Sequence, residues 1–466
     1  MRSRAGAEYM TSQGELSRLL QLAKLPAADS IEIRGRDPVM PSRFKIGEAS
    51  ATALAACGVA ANTIWTASGG KHQRIEVDTA GAAVSLISFL CQKLEDGSEP
   101  QRDPNRPLVG FYQAGDGRWV HLHGAFPDLA AGTLAVLDCD ASPESIRVAV
   151  SRWEGQALED ALAEAGMCGA MARTREEWLT HPQGESLQLV PPVSIKRIAD
   201  SPIEPIPPRA RPLEGVRVLD LTRVLAGPTC GRTLASHGAN VLKVNSPNLP
   251  SVPPFVIDTG HGKRSAFLDL NDEKDHKQLK LLVLSTDIFS QGYRKGALAK
   301  RGLGPEQLAE RRPGIIYVSI NAYGHVGPWA ARPGWEQLAQ TASGVAVDEG
   351  SLESPRLIAA AATDYTTGYL GALGAMAALY RRSIEGGSYH VEVSLAQTAN
   401  WLYEFGLFER DHALPNFDPA IAAPYMVSSD TGFGRLHHLG PIIRMSETEP
   451  RWEQVSVPLG HHPATW

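Results

Sequence analysis

The chain has 466 residues, and 45 Lys and Arg against 51 Asp and Glu leave a net charge of −6. That balance excludes a basic nucleic-acid footprint at whole-chain level. The 43% hydrophobic content excludes wholesale disorder, and at about 150 residues per domain the length suggests two or three domains.

No window is apolar for long enough to span a membrane. The N-terminal stretch MRSRAGAEYMTSQGELSRLL lacks the apolar core of a signal peptide and reads as a leader followed by a short amphipathic helix. ATALAACGVAANTIWTASGG (51–70) reads as an Ala-rich helix with a glycine stop, HQRIEVD (72–78) as a strand and AAVSLISFL (82–90) as a helix. In PLVGFYQAGDGRWVHLH two strand-like runs flank an Asp-Gly turn, the signal of a hairpin. PESIRVAVSRWEGQALEDALAEAG has helical period. Five prolines within 199–215 forbid a continuous helix and mark a linker.

Beyond it, VRVLDL (216–221) and NVLKV (240–244) are strands around a helix that opens near Gly227-Pro228 and ends near Gly238. This β-α-β unit of about 30 residues favours a parallel sheet with right-handed crossover. Further strands are expected at LLVLS (281–285), GIIYVSI (314–320) and YHVEVSL (389–395), with a buried helix over 368–387 and a loop-rich tail from about 404. The fold class is therefore α/β. Laying Glu76-Val77 on Glu392-Val393, an offset of 316, suggests a partial internal repeat, which puts Glu48 opposite Asp364.

The five cysteines, Cys57, Cys91, Cys139, Cys168 and Cys230, are scattered and never in C-x-x-C spacing, which fits a reduced cytoplasmic compartment without a zinc site or disulfide framework. The histidine pairs 121/123, 437–438 and 461–462 supply no convergent ligand set, so no metal is expected. The first β-α turn holds Gly227 without G-x-G-x-x-G, which argues against a nicotinamide dinucleotide. Arg223, Lys243, Lys263, Arg264, Arg294 and Lys295 fall near expected strand ends, where a phosphorylated ligand binds in open α/β sheets. Asp364 follows small apolar residues and precedes a helix, a place for either an N-cap or a nucleophile.

RPLEGVRVLDLTRVLAGP, HGKRSAFLDLN, the segment from QGYRKGALAKRGLGPEQLAERRPGIIYVSINAYGHVGPW to EQLAQTASG, and ATDYTTGYLGALGAMAALYRR together resemble the family III CoA-transferases, the CaiB/BaiF group. GDGRWVHLH and TREEWLTHPQGESLQLVPPV resemble pieces that normally follow the catalytic region, so the family segments stand here in rearranged order. The resemblance implies a Rossmann-like large domain with an open parallel sheet and a smaller α/β domain. The expected layout is a leader and partial repeat (1–100), the small domain (101–198), a Pro-rich linker (199–212), the CoA-binding and catalytic domain (213–403) and a tail (404–466). It implies that Asp364 is the nucleophile of CoA transfer from an acyl-CoA to a free carboxylic acid, with CoA a substrate and no permanently bound cofactor. It implies that Val224, Leu225 and Ala226 line the CoA pocket, that Lys263 and Arg264 lie near the nucleotide and that Arg294 binds phosphate. It also implies a homodimer, with neither nucleic acid nor membrane as partner. The alternatives are an α-methylacyl-CoA racemase, for which Trp335 stands where the family's histidine base falls and His325 lies ten residues before, and a non-catalytic CoA-binding subunit.

Overall fold

The structure is a computed structural model that describes residues 11–27, 30–97 and 107–466; most of the leader lies outside them. Its main sheet has seven strands. Six of them follow the proline-rich stretch. In chain order they are Arg217–Asp220, Asn240–Asn245, Lys263–Phe267, Ile288–Gln291, Ile316–Asn321 and Ser388–Ser394. They pair in parallel in the spatial order 3-2-1-4-5-6. That is the doubly wound order, whose direction reverses between the first and fourth strands. Ser194–Ala199 closes the far edge antiparallel to Ser388–Ser394, so the sheet begins before the proline-rich stretch.

The strand expected at 281–285 is instead the end of the helix Glu273–Val283, and the strand forms at Ile288–Gln291. Asp272 caps that helix by accepting from the N–H groups of Lys274 (2.8 Å) and Asp275 (3.0 Å). Leu279, Leu282 and Val283 are buried at helical spacing while Leu281 and Leu284 face solvent. A contiguous apolar run was thus divided between two faces of a helix.

The helix Ile46–Ala67 and the helix Ala362–Glu385 lie against each other near the centre of the largest apolar cluster. Their surroundings correspond. Ile31–Arg34 pairs in parallel with Ile75–Asp78, as Ile316–Asn321 does with Ser388–Ser394. Arg444–Met445 adds antiparallel to the former, as Ser194–Ala199 does to the latter. Asp78 caps Thr79–Ser85, and Ser394, 316 residues on, caps Leu395–Leu402. Glu48 and Asp364 are each the third residue of their long helix.

Residues 108–171 enclose an apolar cluster of their own around the hairpin Val109–Gln113 and Trp119–His123. Gly117 takes the left-handed conformation (φ 83°) in its turn. The tail is more regular than expected: Met426–Thr431 and Gly434–Leu439 form a hairpin that pairs with Lys93–Leu94. All five cysteines are unpaired. Among the described residues no helix is long and apolar enough to cross a membrane.

Glycines on the helix Ala362–Glu385 allow a close approach to the helix Ala226–Ser236. A Cβ at Gly368 would stand 2.5 Å from the Ala226 carbonyl oxygen and 2.7 Å from Thr229 Cβ. Backbone cannot yield there as a flexible side chain can. Gly368→Ala is therefore expected to cost about 1–3 kcal/mol. Thermal unfolding measures it, and an unchanged midpoint would contradict this packing.

Candidate active site

The loops after the first, fourth and fifth strands converge at the reversal of strand order. They line a cavity of about 430 Å³ that includes Arg223, Tyr293, Arg294, Lys295 and Arg332. Val224, Leu225, Ala226 and Asp364 lie on the same wall. A second cavity of about 310 Å³ abuts it, and Asp364 lines both. Val224, Leu225, Phe126 and Trp335 complete the shared partition.

The loop Thr222–Ala226 is set by what lies beneath it. Asp220, at the end of the first strand, is fully buried. It accepts from Lys263 Nζ (2.8 Å), Thr222 N–H (3.0 Å) and the Thr222 hydroxyl (2.5 Å). Burial alone would raise the Asp220 carboxyl, but Lys263 and Lys243 hold it below its ordinary range. Burial pushes Lys243 down to about 7, against the pull of Asp220. Thr222 then packs on Gly227, where a Cβ would meet Thr222 Cβ at 2.3 Å. Val224 takes a positive φ of 65°. That conformation is costly for a β-branched residue and is held here by its surroundings.

Asp364 sits in the first turn of its helix but is not the cap. The N-cap is Ala361, which has no capping side chain. Glu336 does that work from another segment. Its Oε1 accepts from Thr363 N–H (2.8 Å), the Thr363 hydroxyl (3.1 Å) and Asp364 N–H (3.3 Å). Asp364 and Ala226 line the same cavity, and the Ala226 backbone, at the start of the helix Ala226–Ser236, favours the charged form of the Asp364 carboxyl, as the helix dipole does. Burial, then the charge of Glu336, pushes the Asp364 carboxyl well above its ordinary range, and the Ala226 hydrogen bond opposes this. Burial raises Glu336 to about 7 against its four hydrogen bonds.

A buried network supports the floor of the site. Asp258 accepts from Arg232 (2.7 Å), the Tyr365 hydroxyl (2.7 Å) and the Ser88 hydroxyl (2.5 Å). Phe89 N–H in turn donates to Tyr365 Oη (3.1 Å). Residues 88–90, before the proline-rich stretch, are thus fastened to the helix Ala362–Glu385 and supply part of the second cavity's wall.

The other residues singled out in the sequence are placed as follows. Arg294 is exposed at the cavity rim and donates to Gly166 O (2.9 Å), and Lys295 donates to His325 O (3.1 Å). Lys263 is 1% exposed, bound to Asp220 and the Pro228 carbonyl, and is not on the cavity wall. Arg264 lies on the edge strand and donates to Thr465 O (2.9 Å), also away from the cavity. Both fall on Lys263–Phe267, which is remote from the reversal point. Glu48 lines neither of these cavities; it accepts from Asp37 N–H (3.4 Å), and its own N–H donates to Asp37 (2.7 Å). His325 has its Nε2 3.2 Å from Val393 O and lines a different recess with Leu189 and Glu392. Tyr293, Arg332 and Phe126 also line the site; Tyr293 directly precedes Arg294 and Arg332 lies three residues before Trp335, whereas Phe126 reaches the site only through tertiary packing. No group of three or more His, Cys, Asp or Glu suited to a metal occurs among the described residues.

Glu336 and Asp364 are protonated more readily in the folded chain than in the unfolded one. Such groups favour the fold at low pH, and their contribution is lost as pH rises from the ordinary carboxylate range through about 7. Glu336→Gln removes one of the two titrations and the like charge, so its unfolding midpoint is expected to decline less over that interval than the native chain's. Parallel pH series of thermal unfolding test this; identical slopes would contradict it.

The chain matches CoA-transferase family III over residues 30–202 and 213–423. The gap between the two matched segments falls in the proline-rich stretch. The chain is 33% identical over 436 residues to an acyl-CoA transferase of Gibberella moniliformis, which covers 79% of this chain and 76% of that protein. It is 35% identical over 198 residues to the succinyl-CoA:glutarate CoA-transferase of Homo sapiens, which covers 40% of this chain and 45% of that one. A solved CaiB/BaiF family protein from Brucella suis is 28% identical, with a TM-score of 0.39, over 49% of this chain and 65% of the other. The chain thus spans three quarters of the first of these proteins and less than two thirds of the other two. With the match extending through both halves, on either side of the prolines, the chain belongs to CoA-transferase family III.

Proposed function

We propose that the chain moves CoA from an acyl-CoA thioester to a free carboxylic acid, with Asp364 as covalent nucleophile. One observation supports this above the others: Asp364 is the carboxylate shared by a cation-bearing cavity and an adjoining apolar one. CoA's phosphates suit the rim with Arg223, Arg294 and Lys295, and its thioester then reaches the partition.

Attack of the Asp364 carboxylate on the thioester carbonyl forms an aspartyl–acyl anhydride and breaks the carbon–sulfur bond, releasing CoA thiolate. The thiolate attacks the aspartyl carbonyl, giving an aspartyl-CoA thioester and the free acid. An incoming carboxylate displaces CoA thiolate to form a new anhydride. Thiolate attack on its acyl carbonyl releases the new acyl-CoA and restores Asp364. The Ala226 N–H is placed to stabilise negative charge at the reacting carboxyl, and the buried site keeps water from the activated intermediates. Trp335, on the partition, offers no base for racemisation, and His325 lies in another recess.

Asp364→Ala is expected to lower transfer by about a thousandfold or more while retaining CoA binding, and Arg294→Ala to raise the KM for the CoA ester about tenfold. Steady-state exchange between acyl-CoA and a free acid, with calorimetry for CoA, measures both. Undiminished turnover in Asp364→Ala would sink the nucleophile assignment. Loss of substrate α-hydrogen to heavy water without acyl exchange would point to racemisation.

A further inference from the structure

We propose that the second cavity receives the acyl group and selects uncharged, hydrocarbon-rich acyl groups over those ending in a second carboxylate. This rests on Asp364 carrying the acyl group, as proposed above. The cavity's lining is mostly apolar and includes Phe89, Leu90, Val252, Phe255, Leu357 and Ile358, with Gln337 and Gln340 as neutral polar members. Phe89 and Phe255 meet edge to face, with ring centroids 4.8 Å apart. Among the described residues that line this cavity there is neither Lys nor Arg. The neighbouring cavity holds Arg223, Arg294, Lys295 and Arg332. The contrast divides the site into a polyanion-binding side and an acyl side.

Among the described residues of this lining, a distal carboxylate would meet neither Lys nor Arg. It would meet Asp364 and Glu336, both acidic. The one imidazole there, His123, stacks on Trp335 (centroids 5.5 Å apart) and is buried. Removing a carboxylate from water without a partner is strongly unfavourable, whereas a hydrocarbon chain gains by leaving it. The acceptor acid passes through the same anhydride, so the same preference governs both substrates.

The test uses the full native chain with hexanoyl-CoA or benzoyl-CoA against succinyl-CoA or glutaryl-CoA, each exchanged with the other acid of its own class. Both kcat/KM and the acyl adduct on Asp364, by mass spectrometry of quenched protein, are read. The uncharged donors are expected to exceed the dicarboxylyl donors by about 100-fold or more in kcat/KM. Equal or better use of the dicarboxylyl donors, with Asp364 labelled, overturns the selectivity and leaves the nucleophile standing. Turnover with no Asp364 adduct from any donor overturns the nucleophile and this proposal with it. Leu357→Arg supplies the missing cation and is expected to narrow the preference at least about tenfold; an unchanged preference in the folded variant would count against charge as its cause.

Discussion

Two carboxylates meet at the start of one helix, and much of the site follows from how they divide the available donors. Glu336 takes the first-turn N–H groups of Thr363 and Asp364, which have no partner within their helix. The helix Ala362–Glu385 is thereby capped from outside, and the Asp364 side chain is free of the capping role that its position suggests. It turns to the start of a second helix, at Ala226. Burial and mutual repulsion disfavour two ionised carboxylates so close. The pair therefore titrates as a unit.

Holding Ala226 against Asp364 requires close backbone approach. Gly368 removes the side chain that would strike the Ala226 carbonyl, and Gly227 removes the one that would strike Thr222. Asp220 fixes Thr222 from below by accepting from its N–H and hydroxyl, and Lys263 holds Asp220 through a buried ion pair. Lys263 is thus part of the support for the loop and not a group on the cavity wall. The same close packing brings residues 88–90 to the second cavity, so segments on both sides of the proline-rich stretch line it.

The strands VRVLDL, NVLKV, GIIYVSI and YHVEVSL were legible because β-branched runs end at turn residues, and the hairpin because Asp-Gly marks it. LLVLS misled because a short apolar run has no period of its own; an aspartate cap nine residues upstream of it decided for helix. Asp364, Val224, Leu225, Ala226 and Arg294 do meet at one cavity. Lys263 and Arg264 do not, because sequence proximity to a strand end does not say which strand adjoins the reversal of order. The external capping by Glu336 and the wall from Phe89 and Phe126 depend on contacts distant in sequence, which local spacing cannot express.

The covalent route makes a direct demand on oxygen atoms. When an acceptor acid labelled with heavy oxygen attacks the aspartyl-CoA thioester and the resulting anhydride is opened at the acyl carbonyl, one labelled oxygen remains on the enzyme. The account predicts that after turnover with labelled acid the peptide containing Asp364 carries that heavy oxygen, and that its fragments place it on Asp364. Turnover that leaves Asp364 unlabelled would contradict it.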